Sequence, residues 1–376
     1  MMFLKRIPLL FSLILSSIAL LPGFSQTTNN FNVIAYFAGN AAQLDSFKVA
    51  NITHLIYCFG HLQGNSFTLG KPADTLIINK MVALKRQQPH LKVLLSLGGW
   101  GGCETCSPVF STHAGRLAFA ESVKVMQTRL HTDGIDLDWE YPAIEGLPGH
   151  PYGPADRKNF TLLVQQLRKT LGKESIISFA AGGFTEFLDK SVEWKKVMKE
   201  VDFVNLMTYD LVNGYATKTG HHTPLYATSQ QAESTDHAVQ YLRKLGIDSR
   251  QLVIGGAFYA RVFENVASTN QGLYQSAKFK SGIGYKQFFP TLTPDKGYAY
   301  YWDEEAKAPY LYNAQEKLFV TFDDRRSIEL KTKYVVDQQL GGIMFWQLAD
   351  DLPEEGLLDA IADVKKSYRP AASTIK

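Results

Sequence analysis

Hydrophobic and polar positions along the chain follow two distinct patterns. Short runs of apolar or β-branched residues are separated, for most of the chain, by segments in which apolar residues recur every three or four positions. The runs are typical of buried strands, and the segments are typical of amphipathic helices. The predicted strands are residues 31–38, 54–60, 92–97, 134–139, 175–181, 203–207, 251–258 and 341–346.

The intervening segments predict helices that cover a sheet. The period is clearest in two sets of residues, Phe119, Val123, Met126 and Leu130, and Phe160, Leu163, Leu167 and Leu171. Further helices are predicted at 76–88, 234–245 and 326–338. Strands alternating with helices indicate an α/β fold with a parallel sheet, and eight strands are the number that closes a (β/α)8 TIM barrel. A doubly wound open sheet is the alternative, but no Gly-rich phosphate loop follows the first strand.

One interval departs from this alternation. Residues 263–312 are rich in Tyr, Phe, Gly and Lys and lack a helical period, while alternation at 298–302 and 309–312 predicts short strands. We predict a small α+β insertion domain between the seventh strand and the eighth helix, because the aromatic content disfavours a long disordered loop. The predicted division is a signal peptide at 1–25, a barrel at 26–262 and 318–376, and the insertion domain at 263–317.

The first 25 residues have the pattern of a secretory signal peptide. Lys5 and Arg6 precede an apolar stretch at 7–21, and small residues up to Ser25 form a cleavage site before Gln26. A membrane anchor is the alternative, but the stretch is shorter than the roughly 20 residues that a span needs. No lipoprotein-type Cys follows the cleavage site. We therefore predict a secreted or periplasmic protein that has no membrane association once the signal is removed.

Composition and net charge limit the classes of partner that the protein is expected to bind. With 45% hydrophobic and 20% charged residues, the chain has the composition of a globular protein. Removing residues 1–25 takes away two cations and no acids, so the net charge changes from +3 to +1. A protein this close to neutrality has no strong field that would attract nucleic acid or a membrane surface. No heptad pattern is present, and we expect a monomer.

The three cysteines point to structure rather than to redox or metal chemistry. Cys58 lies in an apolar run and is most simply a core residue. Cys103 and Cys106 form a C-x-x-C in a Gly-rich loop, which leaves either a small local disulfide or free thiols. A redox motif would open a helix in a thioredoxin-like unit, and a zinc site would need a second ligand pair.

The fourth predicted strand carries a row of acids. Asp136, Asp138 and Glu140 alternate with Leu137 and Trp139, so the three carboxyl groups share one face of the strand. Crowding of buried carboxylates raises at least one of their pKa values. We predict a functional site with Glu140 at the barrel mouth, Asp138 one step deeper and Asp136 below it. A solvated edge strand is the alternative.

The carboxyl ends of the other predicted strands add aromatic side chains and one Arg. Function in a barrel of this kind lies at these ends. The candidates are Tyr36, Trp100, Met207, Tyr209, Asp210, Arg261 and Trp346. Aromatic rings that stack on sugars, next to a row of carboxylates, are typical of a glycosidase cleft. Three carboxylates holding Mg²⁺ or Ca²⁺ are the alternative.

Residues 133–142, DGIDLDWEYP, closely resemble the D-x-x-D-x-D-x-E signature of family 18 glycoside hydrolases, the chitinase family. Further segments resemble motifs of this family in the same order: SLGGW at 96–100, MTYD at 207–210, TGHHTPLY at 219–226 and GGAFYAR at 255–261. Ala257 and Ala260 depart from the family's G-x-P-F-Y-G-R. The resemblance spans roughly Phe31 to Asp351, and the insertion matches the branch of the family that carries one.

The resemblance implies hydrolysis of β-1,4-linked N-acetylglucosamine with retention of configuration and without a protein nucleophile. Glu140 would protonate the glycosidic oxygen and later activate water, while the substrate's own 2-acetamido oxygen attacks the anomeric carbon. Asp138 would stabilise the oxazolinium intermediate and hold a proton together with Asp136. Tyr209 would position the acetamido carbonyl.

The same resemblance implies a cleft for chitin or chitooligosaccharides that needs no metal or cofactor. The implied substrate-binding residues are Trp346 as the floor under the sugar, Met207 and Asp210 beside it, and Tyr36, Trp100 and Arg261 around them. Trp302 is a further stacking candidate, and for it, as for Trp100, a core role is the alternative.

Two other functions share these motifs. A non-catalytic chitin-binding lectin on the same fold usually lacks the acid that Glu140 supplies here. An endo-β-N-acetylglucosaminidase that cuts N-glycans shares the mechanism, but the insertion domain and the Tyr209–Asp210 pair favour chitin.

Overall fold

Eight parallel strands close into a barrel in the computed structural model, which describes residues 30–368. The signal peptide predicted at 1–25 lies outside these residues. Residues 30–368 contain fourteen strands in all: β1 (Asn32–Phe37), β2 (His54–Gln63), β3 (Ser66–Thr68), β4 (Lys92–Gly98), β5 (Gly134–Asp138), β6 (Ile176–Gly182), β7 (Phe203–Met207), β8 (Leu252–Ala257), β9 (Tyr259–Glu264), β10 (Lys278–Gly284), β11 (Tyr298–Asp303), β12 (Ala308–Asn313), β13 (Leu318–Thr321) and β14 (Gly342–Trp346). The barrel order is β1-β14-β8-β7-β6-β5-β4-β2, and pairing of β1 with β2 closes it. The predicted TIM barrel is thereby confirmed.

Helices surround the barrel and bury the apolar faces that the sequence pattern predicted. The helices of residues 30–368 are α1 (Pro72–Ala83), α2 (Cys106–Phe110), α3 (His113–Leu130), α4 (Asp156–Leu171), α5 (Thr185–Lys190), α6 (Trp194–Val197), α7 (Thr235–Lys244), α8 (Tyr285–Phe288), which lies between β10 and β11, α9 (Arg325–Asp337) and α10 (Leu357–Ser367). Phe119 and Val123 of α3 and Phe160 and Leu163 of α4 are almost completely buried in the layer between helices and sheet. None of the helices in residues 30–368 is long and apolar enough to span a membrane.

Successive residues of the barrel strands face alternately outward and inward. On β5, Ile135 and Leu137 pack in the outer core beneath the helices. Asp136 faces the barrel interior, where Tyr36 of β1 and Asn205 of β7 reach it from other strands. The acids therefore stand on the inner face of the fourth barrel strand, at its carboxyl end.

A second, antiparallel sheet forms the insertion between β8 and α9. Its order is β10-β9-β13-β12-β11, and Phe263, Tyr310 and Phe319 lie in its own small core. The sheet begins at Tyr259 and ends at Thr321, so it extends beyond residues 263–317 at both ends. Because β9 starts directly after β8, Tyr259 and Arg261 belong to this sheet rather than to a barrel loop.

Cys103 and Cys106 form a disulfide with Cα atoms 5.1 Å apart, which decides between the two alternatives left by the sequence. The bond closes the loop between β4 and α2, directly after Trp100. Cys58 is a buried free thiol that packs in the barrel interior, as its apolar context predicted.

His54 begins β2 at the amino end of the barrel and is buried. Its Nδ1 lies 2.8 Å from the Thr53 hydroxyl, and its ring packs against Phe203 with centroids 5.3 Å apart. Burial, followed by the positive charge of Lys92, lowers the pKa of His54 to about 4.

We expect His54 to make the fold sensitive to acid. The imidazole binds a proton more readily in the unfolded chain than in the folded protein, so its contribution is complete above about pH 6.5 and is lost as the pH falls to about 4. The full loss is about 3 kcal/mol. Denaturant unfolding at pH 7 and pH 4 should show a smaller pH-dependent loss for His54→Gln, whereas the exposed control His90→Gln should match the wild type. Equal losses in all three proteins would contradict this assignment.

Candidate active site

Asp136 lies at the bottom of the site and accepts four hydrogen bonds. Its Oδ2 accepts from the hydroxyls of Ser96 (2.9 Å) and Tyr36 (3.1 Å). Its Oδ1 accepts from the Ser178 hydroxyl (2.6 Å) and the Asn205 amide (3.3 Å). Burial raises the pKa of Asp136, and the four donors oppose that shift by stabilising the carboxylate.

Ser178 and Asn205 are site residues that the sequence patterns did not single out. Strand register places Ser96, Asp136 and Ser178 opposite one another on β4, β5 and β6. Each of them is a polar residue inside an otherwise apolar strand, and this pattern is the signal that could have identified them. Both are fully buried.

Asp138 stands one step nearer the mouth and is only 4% exposed. Its Oδ1 is buried without a hydrogen-bond partner among the described residues. Burial, and then the negative charges of Glu140 and Asp136, raise the pKa of Asp138 well above its usual range. The site therefore favours a proton on Asp138 and leaves one of its oxygens unpaired.

Glu140 follows β5 at the mouth and is partly exposed. Burial raises the pKa of Glu140 to about 7; the charge of Asp210 acts in the same direction, and a hydrogen bond with the Tyr141 side chain opposes it. A carboxyl group with this pKa can give up and regain a proton near neutral pH.

An aromatic floor lies across the barrel mouth at Trp346, the last residue of β14. Its ring stacks on Phe59 with centroids 5.5 Å apart and planes at 13°, and Tyr36 lies 6.0 Å away. Gly99 makes room for this stack, because a Cβ at its position would approach the Phe59 ring to 2.4 Å and its φ is +79°. Phe59 is thus a supporting residue of the floor.

Tyr209 and Met207 lie at the end of β7 and are both 8% exposed. The Tyr209 hydroxyl is 3.7 Å from the Met344 sulfur, and its ring meets Tyr259 edge-on at 6.0 Å. Burial and the neighbouring charges of Asp138, Glu140 and Asp210 raise the pKa of Tyr209, so its hydroxyl remains a hydrogen-bond donor.

Asp210 and Arg261 form a bidentate ion pair with two 2.6 Å hydrogen bonds. His222 lies on the other side, with its Nδ1 3.6 Å from Asp210 Oδ1. Burial alone would raise the pKa of Asp210, but the interactions with His222 and Arg261 outweigh it and lower the pKa below its usual range. Asp210 is therefore a fixed negative charge near Glu140.

Trp100 and Trp302, the two stacking candidates, lie in different surroundings. Trp100 is 48% exposed, with Tyr141 and Tyr215 each 6.3 Å away, so a core role is wrong for this residue. Trp302 lies on β11 of the insertion, where the Arg326 guanidinium covers its ring at 3.7 Å.

The alternative for the row of acids is a site for Mg²⁺ or Ca²⁺. No group of three or more His, Cys, Asp or Glu side chains in residues 30–368 is arranged to hold an ion. Both oxygens of Asp136 are taken by hydroxyl and amide donors, which leaves them poorly placed to bind a cation.

Carboxyl groups of graded pKa beside an aromatic floor, at the carboxyl end of a (β/α)8 barrel, are typical of glycoside hydrolases. The family model "Glycosyl hydrolases family 18" matches residues 32–351. The chain therefore belongs to glycosyl hydrolase family 18.

Curated relatives and solved structures agree with this membership. The chain is 30% identical to Chitinase A1 of Niallia circulans, over 93% of this chain and 60% of that protein, so it spans less than two thirds of the relative's length. It is 30% identical to Chitinase B of Serratia marcescens, over 84% of this chain and 76% of that protein. The structure of a family 18 N-acetylglucosaminidase from Paenibacillus barengoltzii has a TM-score of 0.81 and 35% identity, and covers 89% of this chain and 99% of its own.

Proposed function

We propose that the protein hydrolyses β-1,4-linked N-acetylglucosamine in chitin or chitooligosaccharides, with retention of configuration. The observation that carries this proposal is the graded row on β5. Asp136 is held by four hydrogen bonds, Asp138 has a buried unpaired oxygen, and Glu140 stands at the mouth with a pKa of about 7. The relatives named chitinase support the substrate class.

In the first step, the Glu140 carboxyl donates its proton to the glycosidic oxygen. The bond from this oxygen to the anomeric carbon breaks while the acetamido carbonyl oxygen of the same sugar bonds to that carbon, which gives a cyclic oxazolinium ion. The Tyr209 hydroxyl orients the acetamido carbonyl. Asp138 accepts a hydrogen bond from the acetamido N–H and shares its proton with Asp136, so negative charge faces the cation.

In the second step, the Glu140 carboxylate takes a proton from water. The water oxygen attacks the anomeric carbon from the face that the leaving group vacated, and the ring of the intermediate opens. Two inversions at one carbon give net retention. Trp346, held by Phe59 and Tyr36, supports the sugar at the scissile bond, and Trp100 offers an exposed ring to a neighbouring sugar.

The Paenibacillus relative favours a second form of the same activity, release of single N-acetylglucosamine units from chain ends. The similarity covers nearly the whole of that chain at 35% identity. We also propose that the protein acts outside the cytoplasm, secreted or periplasmic, because the Cys103–Cys106 disulfide is typical of an oxidising compartment.

Fluorogenic glycosides of N-acetylglucosamine, chitobiose and chitotriose test the proposal, with the cellobioside as the control that lacks acetamido groups. We expect hydrolysis of at least one N-acetylated substrate and none of the cellobioside, because the nucleophile belongs to the acetamido group. Fastest release from the monosaccharide glycoside would support action at chain ends. Turnover of the cellobioside at a comparable rate would contradict the proposal.

The pH profile should depend on Asp210. Glu140 must be protonated to act as the acid, so activity should fall as the pH rises through its pKa of about 7. Asp210→Asn removes a negative charge that raises this pKa and frees the positive charge of Arg261, and both changes lower it. The alkaline limb of kcat/KM should move down by about half to one pH unit. Asp202→Asn, which breaks an Asp–Arg pair near the amino end of β7, is the matched control. An alkaline limb that stays in place or moves up would contradict this role.

A further inference from the structure

Lys331 of α9 and Asp323, which precedes that helix, form an ion pair inside the protein. The Lys331 Nζ lies 2.6 Å from Asp323 Oδ2, and both side chains are 0% exposed. In residues 30–368, every other ion pair has at least one partner with exposed surface. Neither residue takes part in the proposed reaction.

Such a pair is a poor way to stabilise a fold. Removing two charges from water opposes folding, and apolar residues of similar volume often do as well or better. The Asp323 carboxylate is nevertheless fully used, since Oδ1 accepts from Ser327 (2.6 Å) and Oδ2 accepts from the Ala257 amide (3.0 Å) as well as from Lys331. The pair fixes the end of β8 to the start of α9.

A second set of hydrogen bonds runs from the pair to Tyr209. Lys331 also donates to the Thr223 hydroxyl oxygen, and an ammonium group can only donate. The Thr223 hydrogen must therefore point elsewhere. Two acceptors lie within its reach, Asp323 Oδ2 at 3.1 Å and the Thr208 carbonyl at 3.2 Å, so the Thr223 hydroxyl links the buried pair to this carbonyl. This carbonyl belongs to the peptide group that joins Thr208 to Tyr209.

The backbone at Thr208 and Tyr209 lies just beyond the end of β7, so side-chain hydrogen bonds have to fix its position. Thr208 bridges to β8 through its own hydroxyl, which donates to the Gly255 carbonyl at 3.2 Å and accepts from the Gly255 amide at 3.0 Å. β7 ends at Met207, and Asp210 has φ +55°, so the chain changes direction immediately after Tyr209. His222, which touches Asp210, directly precedes Thr223.

We propose that Lys331 and Asp323 are positioning residues, which hold the Thr208–Tyr209 peptide so that the Tyr209 hydroxyl meets the substrate's acetamido group. The inference rests on the proposed function, because it assigns Tyr209 its role there. Lys331 and Asp323 both hold the Thr223 hydroxyl, and that hydroxyl lies within hydrogen-bond distance of the carbonyl next to Tyr209.

Replacing Lys331 with Met keeps a side chain of similar length and removes the positive charge. We expect kcat on a fluorogenic chitooligosaccharide to fall about tenfold to a hundredfold with KM within about threefold, since misplacement of about 1 Å costs rates of that size. Affinity for a chitobiose thiazoline, a stable analogue of the oxazolinium ion, should fall in parallel, and affinity for chitobiose should stay within about threefold. Lys333→Met is the matched control, because Lys333 lies on the same helix and pairs with Glu329 at the surface.

The double variant Lys331→Met/Asp323→Asn covers the case in which the single variant does not fold. It removes both buried charges together, so we expect it to fold and still show the low kcat and the weak thiazoline binding. A folded variant of either kind with wild-type kcat would overturn the inference, as would equal losses of thiazoline and chitobiose affinity, which indicate general loosening. An inactive wild-type chain would overturn the proposed function itself, and this inference with it.

Discussion

Replacing Glu140 with Gln should lower kcat on a fluorogenic chitobioside by about a thousandfold or more while leaving the fold intact. Gln keeps the size of the side chain and can still form hydrogen bonds, but it has no proton to give to the leaving oxygen. General acid catalysis is worth about 10² to 10⁴ in rate, and here the same group also activates the water. Binding of chitotetraose, measured by calorimetry, should change little, because the aromatic floor and Asp138 remain.

Glu145→Gln is the control for this experiment. Glu145 lies five positions further along the same loop and is exposed, so its loss should leave kcat within about twofold. Glu140→Gln with turnover close to that of the wild type would remove Glu140 from the role of acid. Wild-type protein that binds chitotetraose without cleaving it would instead favour the lectin.

Replacing Asp138 with Asn should lower kcat by about a hundredfold to a thousandfold. The oxazolinium ion carries a positive charge, and Asn cannot place negative charge beside it. Stability should change little at neutral pH, because burial and two neighbouring acids already favour the uncharged form of Asp138. Thermal unfolding and kcat, measured on the same preparation, separate the two effects.

Asp136→Asn is the contrasting variant on the same strand. Asp136 accepts from four donors, and an amide NH₂ group would face some of them, so we expect the free energy of unfolding to fall by about 1–3 kcal/mol. Asp138→Asn that is as active as the wild type, or that loses more stability than Asp136→Asn, would contradict the assignment of the two acids.

The barrel could be predicted because its cause is local. Each strand is a short apolar run, and each long helix has an apolar residue every three or four positions. The local sequence therefore already indicates which segments are buried as strands and which as helices. The row of acids was visible for the same reason, since alternation puts Asp136 and Asp138 on the face opposite Ile135 and Leu137.

The partners of the acids could not be predicted, because they come from strands far apart in sequence. Ser178 lies 42 positions from Asp136 and Asn205 lies 69 positions away, and only the barrel register brings them to it. The buried position of Lys331 could not be predicted for a related reason. A lysine on an amphipathic helix usually lies at the surface, and only the fold shows that this one faces Asp323.

β2 and the insertion both extend beyond the bounds that the sequence pattern predicted. β2 runs on to Gln63 and forms a hairpin with β3, where Gly64 at φ +57° and Asn65 make a two-residue turn. Gly-Asn is a hairpin signal that the sequence did carry. The insertion begins at Tyr259 because β8 continues into β9 with one residue between them, which leaves no turn signal to mark the boundary.

The anomeric form of the first product tests the central claim most directly. Chitohexaose is mixed with the protein in an NMR tube, and the anomeric proton signals are followed before mutarotation equilibrates them. Hydrolysis assisted by the acetamido group predicts that the new reducing ends appear first in the β form and then relax towards the equilibrium mixture. New reducing ends that appear first in the α form would contradict the account.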